Sequence, residues 1–240
     1  MRIAVLSDIH GNLPALEAVL DALKPYDAVW QLGDVVGYGP QPDEVVARLS
    51  RENATGVRGN HDAAALGELE TDSFNDDARK AVEWTAARIK SATRDWLAAL
   101  PKRTVSEPFT LVHGSPRDPT WEYIFTTSIA RVNLHDFETA HCLVGHTHIP
   151  IAYRERHGRM EGLQPDDGSQ LDLGELRVIA NPGSVGQPRD GDPRASAMLF
   201  DSDAQTLEWH RVEYPIERVQ KLMTQLKLPV RLVSRLAYGL

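Results

Sequence analysis

Residues 2–34 read RIAVLSDIHGNLPALEAVLDALKPYDAVWQLGD, with a short apolar run at each end and a helical pattern between them. Both runs stop abruptly at polar side chains, which is typical of buried strands. Asn12 is a candidate helix cap, and Pro25 closes the middle segment. The apolar positions of that segment recur at helical spacing: Leu13, Leu16, Val19, Leu20 and Leu23. The stretch therefore predicts a β-α-β unit with parallel strands.

Six apolar runs of this kind end in groups that are able to bind a ligand. They are RIAVLS before Asp8 and His10, DAVWQL before Asp34, NATGV and Arg58 before GNHD (59–62), FTLV before His113, HCLV before GHTH (145–148), and LRVIA before NPGS (181–184). In folds with parallel buried strands, ligands sit in the crevice beyond the carboxyl ends of the strands. The polar clusters are therefore expected to converge in space.

The other segments predict helices and one hairpin. These are two helices in 76–100, a helix in 127–137, a hairpin of 195–201 with 206–214 that extends a second sheet, and a helix starting near Pro215. No linker marks an independent part, so we expect one domain over residues 1–240. Within it, residues 74–100 are expected to form a helical insertion that flanks the cleft.

Composition narrows the class of protein and its partners. The chain has 240 residues, 42% of them hydrophobic, and a formal net charge of −8, which is the wrong sign for binding nucleic acid through its phosphates. A single cysteine, Cys142, cannot form an intramolecular disulfide. No apolar run approaches the length of a membrane span. The sequence thus predicts a cytoplasmic protein with no membrane and no stable nucleic-acid partner, and leaves a homo-oligomer open. A small phosphorylated substrate is compatible with the acidic composition, because bound metal ions can reverse the local field inside a cleft.

The polar residues at the strand ends form a set that suits two divalent cations. Singly, each is equally well explained as a loop residue, a helix cap or a buried histidine. Together they offer carboxylate, imidazole and amide oxygen without thiolate, a combination that fits manganese, iron, nickel or zinc. In D-I-H, Asp8 and His10 are expected to share one side of an extended segment. His146 and His148 in H-T-H either do the same or divide between neighbouring ions.

Five motifs in this order, SDIHGN, GDVVGYG, RGNHD, HGSP and GHTH, make the chain resemble the calcineurin-like metallophosphoesterase superfamily. The likeness covers about residues 1–186 and is strongest to its small bacterial phosphoesterase and phosphodiesterase branch. It implies an α/β fold, a four-layer αββα sandwich of two mixed β-sheets flanked by helices, with the metal site at the carboxyl ends of the strands.

The resemblance also implies roles for individual residues. The implied metal ligands are Asp8, His10 and His148 for the first ion, Asn60, His113 and His146 for the second, and Asp34 as the bridge between them. Asp34 and His61 would be the catalytic residues, with His61 protonating the leaving group. The two ions, manganese being favoured, would generate a hydroxide nucleophile from a shared water.

The implied activity is hydrolysis of small phosphodiesters, including cyclic nucleotides. Alternatives are a phosphomonoesterase, a dinucleoside polyphosphate hydrolase, and a non-catalytic interaction scaffold. The phosphoprotein phosphatase branch carries GD-x-x-D-R-G, whose aspartate and arginine are replaced here by Gly37 and Tyr38. Substrate contacts must then come from elsewhere, and the candidates are Asn12, Tyr38, Arg117 and Arg189. Trp121 and Tyr123 are open to two interpretations, an apolar wall of the site or core packing.

Overall fold

The computed structural model describes residues 1–240 and shows two mixed sheets of six strands each. The strands are β1 (Arg2–Leu6), β2 (Ala28–Gln31), β3 (Thr55–Gly56), β4 (Arg103–Ser106), β5 (Phe109–Val112), β6 (His141–Leu143), β7 (Pro150–Arg156), β8 (Arg159–Leu163), β9 (Gln170–Asp172), β10 (Val178–Pro182), β11 (Ala195–Asp201) and β12 (Thr206–Val212). All six strands predicted before polar clusters form, although β3 is only two residues long.

The first sheet has the strand order β3-β2-β1-β11-β12-β9. β1, β2 and β3 are parallel, as the opening β-α-β unit predicts, while β11 pairs antiparallel with β1. The hairpin of β11 and β12 therefore belongs to the first sheet, and the prediction that it extends a second sheet is wrong. The apolar run ASAMLFD shows that β11 is buried, but it contains no local signal for which sheet buries it.

The second sheet has the strand order β4-β5-β6-β10-β7-β8. Its centre consists of the parallel strands β5, β6 and β10, and antiparallel strands complete both edges. The carboxyl ends of β5 and β6 thus lie side by side at one edge of this sheet. This arrangement brings the motifs that follow β5 and β6 together.

Eight helices cover the sheets. They are α1 (Leu13–Ala22), α2 (Pro42–Arg51), α3 (Asn60–Leu66), α4 (Asp76–Ala86), α5 (Ser91–Ala99), α6 (Thr127–Asn133), α7 (Ile216–Gln225) and α8 (Val230–Arg235). Asn12 caps α1 as predicted, since its side-chain oxygen accepts a hydrogen bond from the Ala15 backbone N–H at 3.2 Å. The longest helix has 11 residues, and no helix is long and apolar enough to cross a membrane.

Three apolar clusters separate four layers. The central cluster contains residues of both sheets, including Val5, Trp30, Phe109 and Leu143. Seven helices pack on the outer face of the first sheet, and α6 packs on the outer face of the second. The predicted αββα sandwich is therefore confirmed. The two helices predicted in 76–100 form and pack against α3, whereas the single domain with a helical insertion stays a prediction.

Candidate active site

Loops that follow the strands bring seven predicted ligand residues into one buried cluster. Their side chains form two groups that share Asp34, with ligand atoms close enough to surround one cation each. The first group contains Asp8, His10, Asp34 and His148, and the second contains Asp34, His113 and His146, with Asn60 beside it. The structure thus brings together all the side chains that were predicted as ligands, and it places His146 and His148 in different groups.

The first group brings four imidazole and carboxylate atoms together. The Nε2 atoms of His10 and His148 lie 3.2 Å apart. Asp8 Oδ1 is 3.3 Å from His148 Nε2, and Asp34 Oδ2 is 3.6 Å from His10 Nε2. These four side chains therefore direct their ligand atoms at a common point.

The second group is centred on His113. Its Nε2 atom lies 3.0 Å from Asn60 Oδ1, 3.0 Å from His146 Nδ1 and 3.4 Å from Asp34 Oδ2. The same oxygen of Asp34 therefore approaches both groups. Its other oxygen, Oδ1, accepts a hydrogen bond from the His61 backbone N–H at 2.9 Å, which fixes the carboxylate plane.

Backbone carbonyls fix the tautomers of three histidines. Nδ1 of His10 donates to Val36 O at 3.1 Å, that of His113 to Leu32 O at 2.8 Å, and that of His148 to Gln187 O at 2.6 Å. In each ring, Nε2 is then the atom that faces the cluster and that offers a lone pair when the ring is neutral. Metal-binding histidines are oriented in this way.

The cluster contains buried acceptor atoms that no donor satisfies, and these atoms test whether cations fit. Asp8 Oδ1 and His146 Nε2 are buried without any hydrogen-bond partner. Burial lowers the pKa of His10, and burial with the Arg189 charge lowers the pKa of His148, so their facing Nε2 lone pairs have no proton between them. Such unpaired buried acceptors are costly unless a cation binds them. The residues therefore fit divalent metal ions.

Two residues of the cluster, His113 and Asp8, have raised pKa values and can hold protons. Burial opposes the charged form of His113, but the Asp34 carboxylate outweighs it and raises the pKa of His113 to about 9. Burial raises the pKa of Asp8 to about 7. Protons therefore compensate part of the negative charge where cations would otherwise do so.

The ligand residues have left-handed backbone, so the prediction that D-I-H is an extended segment is wrong. Of the two alternatives for H-T-H, the one that divides His146 and His148 between the two groups agrees with the structure. The φ angles are +52° at Asp8, +49° at His10, +52° at Asp34, +68° at His146 and +61° at His148. β1 ends at Leu6, so period-2 alternation no longer applies to Asp8 and His10. Tight turns place both side chains in one group. Left-handed backbone is rare for residues other than glycine, and no local sequence signal showed it.

Gly59 allows a close approach between the third motif and Asp34. Its φ of −90° needs no glycine, but a Cβ atom there would lie 2.1 Å from Asp34 Oδ1 and 2.4 Å from Asp34 N. α3 begins directly afterwards, and the Asp62 carboxylate accepts hydrogen bonds at 3.0 Å from the backbone N–H groups of Gly59 and Val36. Asp62 thus joins the motif to the loop after β2.

Gly59→Ala is expected to destabilise the protein by about 1–3 kcal/mol because the new methyl group overpacks the Asp34 loop. Activity should fall with it, since Asp34 must shift. Thermal unfolding and steady-state kinetics measure the two effects. Gly162→Ala is the matched control, because its Cβ would make only an ordinary contact at 3.4 Å with Tyr153. Equal stability and activity of the two variants would contradict the steric explanation.

Aromatic packing holds His61 in the absence of a supporting aspartate. Its ring centroid lies 4.3 Å from that of Tyr38, 4.9 Å from Phe74 and 4.9 Å from His10. Nδ1 is buried without a partner and faces Gly37, where a Cβ would come within 2.6 Å. Nε2 is therefore the nitrogen left for a substrate. Burial lowers the pKa of His61 to about 4.

The four predicted substrate contacts lie in different surroundings. Both ends of the Asn12 amide serve the fold, since Nδ2 donates to Gly186 O at 3.0 Å in addition to the α1 cap. Arg117 pairs with Glu122, and its side chain is half exposed, away from the cluster. Tyr38 is buried beside His10, with its ring centroid 4.5 Å away, and the Arg189 guanidinium lies 5.6 Å from the Tyr38 ring. Tyr38 and Arg189 therefore border the cluster, whereas Asn12 lines a small cavity with His10 but has both ends of its amide engaged in the fold.

Aromatic side chains cover the other side of the cluster. Tyr123 stacks on His146 with ring centroids 3.8 Å apart, and Phe74 contacts Trp121 at 5.3 Å. Of the two interpretations of Trp121 and Tyr123, the wall of the site thus agrees with the contacts. Sequence analysis missed Phe74, which precedes α4 and has no motif around it.

Comparison with known proteins agrees with this site. Residues 1–205 match the calcineurin-like phosphoesterase superfamily domain. A metallophosphoesterase crystal structure from Sphaerobacter thermophilus is 47% identical, with a TM-score of 0.93 over 100% of this chain and 99% of that one. "Uncharacterized protein MJ0912" of Methanocaldococcus jannaschii is 38% identical, covering 99% of this chain and 98% of its own. Phosphodiesterase YfcE of Escherichia coli K12 is 28% identical, and the match covers 85% of this chain and 89% of YfcE.

The chain belongs to the calcineurin-like phosphoesterase superfamily. Within it, the fold and the relatives define a hydrolytic phosphoesterase of the small bacterial type. The predicted family and enzyme class are therefore confirmed, and the clustered Asp and His side chains agree with binding of divalent metal ions.

Proposed function

We propose that the protein is a phosphodiesterase that hydrolyses small phosphodiesters, cyclic nucleotides among them, with two divalent metal ions. The observation that carries the proposal is the pair of ligand groups sharing one carboxylate, Asp34. Asp8, His10 and His148 would hold one ion, and Asn60, His113 and His146 the other, with Asp34 between them. Carboxylate, imidazole and amide ligands without thiolate fit manganese, iron, nickel or zinc, and manganese is the ion that we propose.

Ions held by these residues would supply positive charge that neutralises phosphate oxygens and makes water a better nucleophile. The residues of the chain then orient the ester. Arg189, which lies over Tyr38, would contact a phosphoryl oxygen in place of the arginine missing from the second motif. His61 would hand a proton from Nε2 to the leaving oxygen. A bound phosphoester anion beside His61 opposes the effect of burial on its pKa.

The aromatic wall favours a diester over a monoester. A diester has two organic groups on phosphorus, whereas a monoester has one. Tyr123 offers apolar surface beside His146 of the second ligand group, and Phe74 and Trp121 offer it beside His61. The second organic group of a diester therefore has apolar surface to contact. The Escherichia coli relative named as a phosphodiesterase agrees with this choice. A phosphomonoesterase or dinucleoside polyphosphate hydrolase is the alternative. A complete ligand set disfavours a non-catalytic scaffold, and location and oligomeric state stay predictions.

With Mn²⁺, kcat/KM for bis-p-nitrophenyl phosphate is expected to exceed that for p-nitrophenyl phosphate by at least about tenfold. A tenfold ratio corresponds to about 1.4 kcal/mol of extra binding between the diester's second organic group and the protein in the transition state. Chelation should lower both rates by more than about a hundredfold, because several kcal/mol of charge stabilisation are lost. Release of p-nitrophenol measures this with Mn²⁺, Ni²⁺, Zn²⁺ or no metal, and re-addition of metal is the control. Equal rates with and without metal would refute the proposal, and a monoester preference would favour the alternative.

A further inference from the structure

A cavity lies next to Tyr38 and Arg189, the two residues that border the metal-ligand cluster. Its volume is about 630 Å³, and Tyr38 and Arg189 line it together with Lys80, Arg231 and Arg235. Since the Tyr38 ring centroid is 4.5 Å from that of His10, a single aromatic ring separates the cavity from the first ligand group. A pentose or a short phosphate chain would cover this separation.

The cavity concentrates positive charge in an acidic protein. The ion pairs of the chain involve none of the four cations Lys80, Arg189, Arg231 and Arg235. Asp76 and Asp77 also line the cavity, but Asp76 pairs with Arg79 of its own helix at 3.1 Å. The lining therefore carries four positive and two negative charges, whereas the whole chain has a net charge of −8. Unpaired clustered guanidinium groups are typical of sites that bind phosphate.

Gln187 connects this cavity to the metal-ligand cluster. Its Oε1 accepts hydrogen bonds from Arg189 Nη2 at 3.0 Å and from Arg235 Nη1 at 3.2 Å, and its backbone carbonyl accepts one from His148 Nδ1 at 2.6 Å. Arg189 Nε is buried without a partner. Burial and the Arg189 charge together lower the pKa of Arg235 to about 10. The two guanidinium groups are thus held close together on one amide oxygen, and no carboxylate of the cavity forms an ion pair with either of them, although Asp77 is near enough to oppose the fall in the pKa of Arg235.

The C-terminal segment supplies three of the nine residues that line this cavity. α8 carries Arg231 and Arg235, and the segment after it is fastened to the Arg189 loop by a hydrogen bond from Gly191 N to Gly239 O at 2.9 Å. The family match ends at residue 205, so these two arginines lie outside the part of the chain that defines the superfamily. They therefore add a feature to the shared site.

We propose that this cavity, defined by Lys80, Arg189, Arg231 and Arg235, binds a second phosphoryl group of the substrate while the ester bond is cleaved at the ligand groups. The substrates would then be phosphoesters with a further phosphate about one pentose away. This inference rests on the proposed function, because it assigns the reacting ester to the metal-ligand cluster.

The test compares thymidine 5′-(p-nitrophenyl phosphate) with the same ester carrying a 3′-phosphate, using the manganese-loaded full chain. The wild type is expected to prefer the 3′-phosphorylated ester by at least about tenfold in kcat/KM, mainly through a lower KM, since charge-assisted bonds are gained. Arg231→Ala and Arg235→Ala should each reduce that preference severalfold. A wild-type ratio near one, or an unchanged ratio in both variants, would overturn the proposal.

Arg218→Ala is the matched control, because Arg218 is an exposed arginine of α7 that lines a different cavity. It removes the same charge and should leave the ratio unchanged. Arg235 also contacts Gln187 and Leu240, so Arg235→Ala could fail to fold, whereas Arg231 is exposed and keeps the test valid. If neither ester is cleaved, the proposed function fails. In that case, calorimetry compares the affinities of thymidine 3′,5′-bisphosphate and thymidine 5′-phosphate for the same variants. This comparison tests the anion site independently of catalysis.

Discussion

Replacing Asp34 by Asn is expected to lower kcat by at least about a thousandfold, equivalent to about 4 kcal/mol of lost transition-state stabilisation. Oδ2 of Asp34 is the one oxygen that approaches both ligand groups, at 3.6 Å from His10 Nε2 and 3.4 Å from His113 Nε2. An asparagine has the same shape but no negative charge. Both proposed ions should therefore bind more weakly, which the loss of any other single ligand would not cause.

Metal content by inductively coupled plasma mass spectrometry and steady-state kinetics together test the Asp34→Asn variant. The amide oxygen of asparagine can still accept the hydrogen bond from the His61 backbone N–H, so the fold should persist. Asp172→Asn, an exposed carboxylate on β9, is the isosteric control and should keep wild-type activity and metal content. If the variant bound two metal equivalents and turned over substrate at the wild-type rate, Asp34 would not be the residue that bridges the two ions.

His61→Ala is expected to lower kcat by about 10²–10⁴ while both metal ions remain bound. His61 follows Asn60 directly but stands in neither ligand group, and its ring is held by Tyr38, Phe74 and Gly37. A general acid matters most when the leaving oxygen is strongly basic. The loss should therefore be larger for an alkyl leaving group than for p-nitrophenolate.

The dependence of the His61→Ala defect on leaving-group pKa separates proton transfer from a structural role. This dependence is measured with a series of esters that differ only in the leaving group, which is methyl, phenyl or p-nitrophenyl. Metal content is determined on the same samples. His141→Ala is the control, because His141 is a buried histidine on β6 outside the site. A defect of equal size for all leaving groups would argue against the acid role. Loss of both ions would instead make His61 a ligand.

The sequence was sufficient to locate the site because of where its polar residues fall along the chain. Asp8, Asp34, His113 and His146 each follow an apolar run, and parallel strands necessarily bring those ends together. The cap at Asn12 was equally local, since a cap depends on residues three positions apart. Features set by neighbours within a few residues could therefore be predicted.

Features set by distant contacts could not be predicted. The run ASAMLFD shows a buried strand, but its pairing with β1 depends on residues almost two hundred positions earlier. Arg231 and Arg235 lie in a short helix with no motif, and only the folded chain places them beside Arg189. Gly59 looked like a turn residue, whereas its role is to leave space for Asp34. The left-handed ligand loops likewise depend on the whole cluster.

Those left-handed loops set a limit on engineering this enzyme. Each non-glycine residue in that conformation costs about 1–2 kcal/mol, and five of them stand together at Asp8, His10, Asp34, His146 and His148. That sum is of the same order as the net stability of a whole domain, about 5–15 kcal/mol. A screen for heat resistance alone would therefore enrich glycine at these positions and return robust proteins without a metal site. Thermostable variants are better sought with the loops held fixed and selection applied to the surrounding helices.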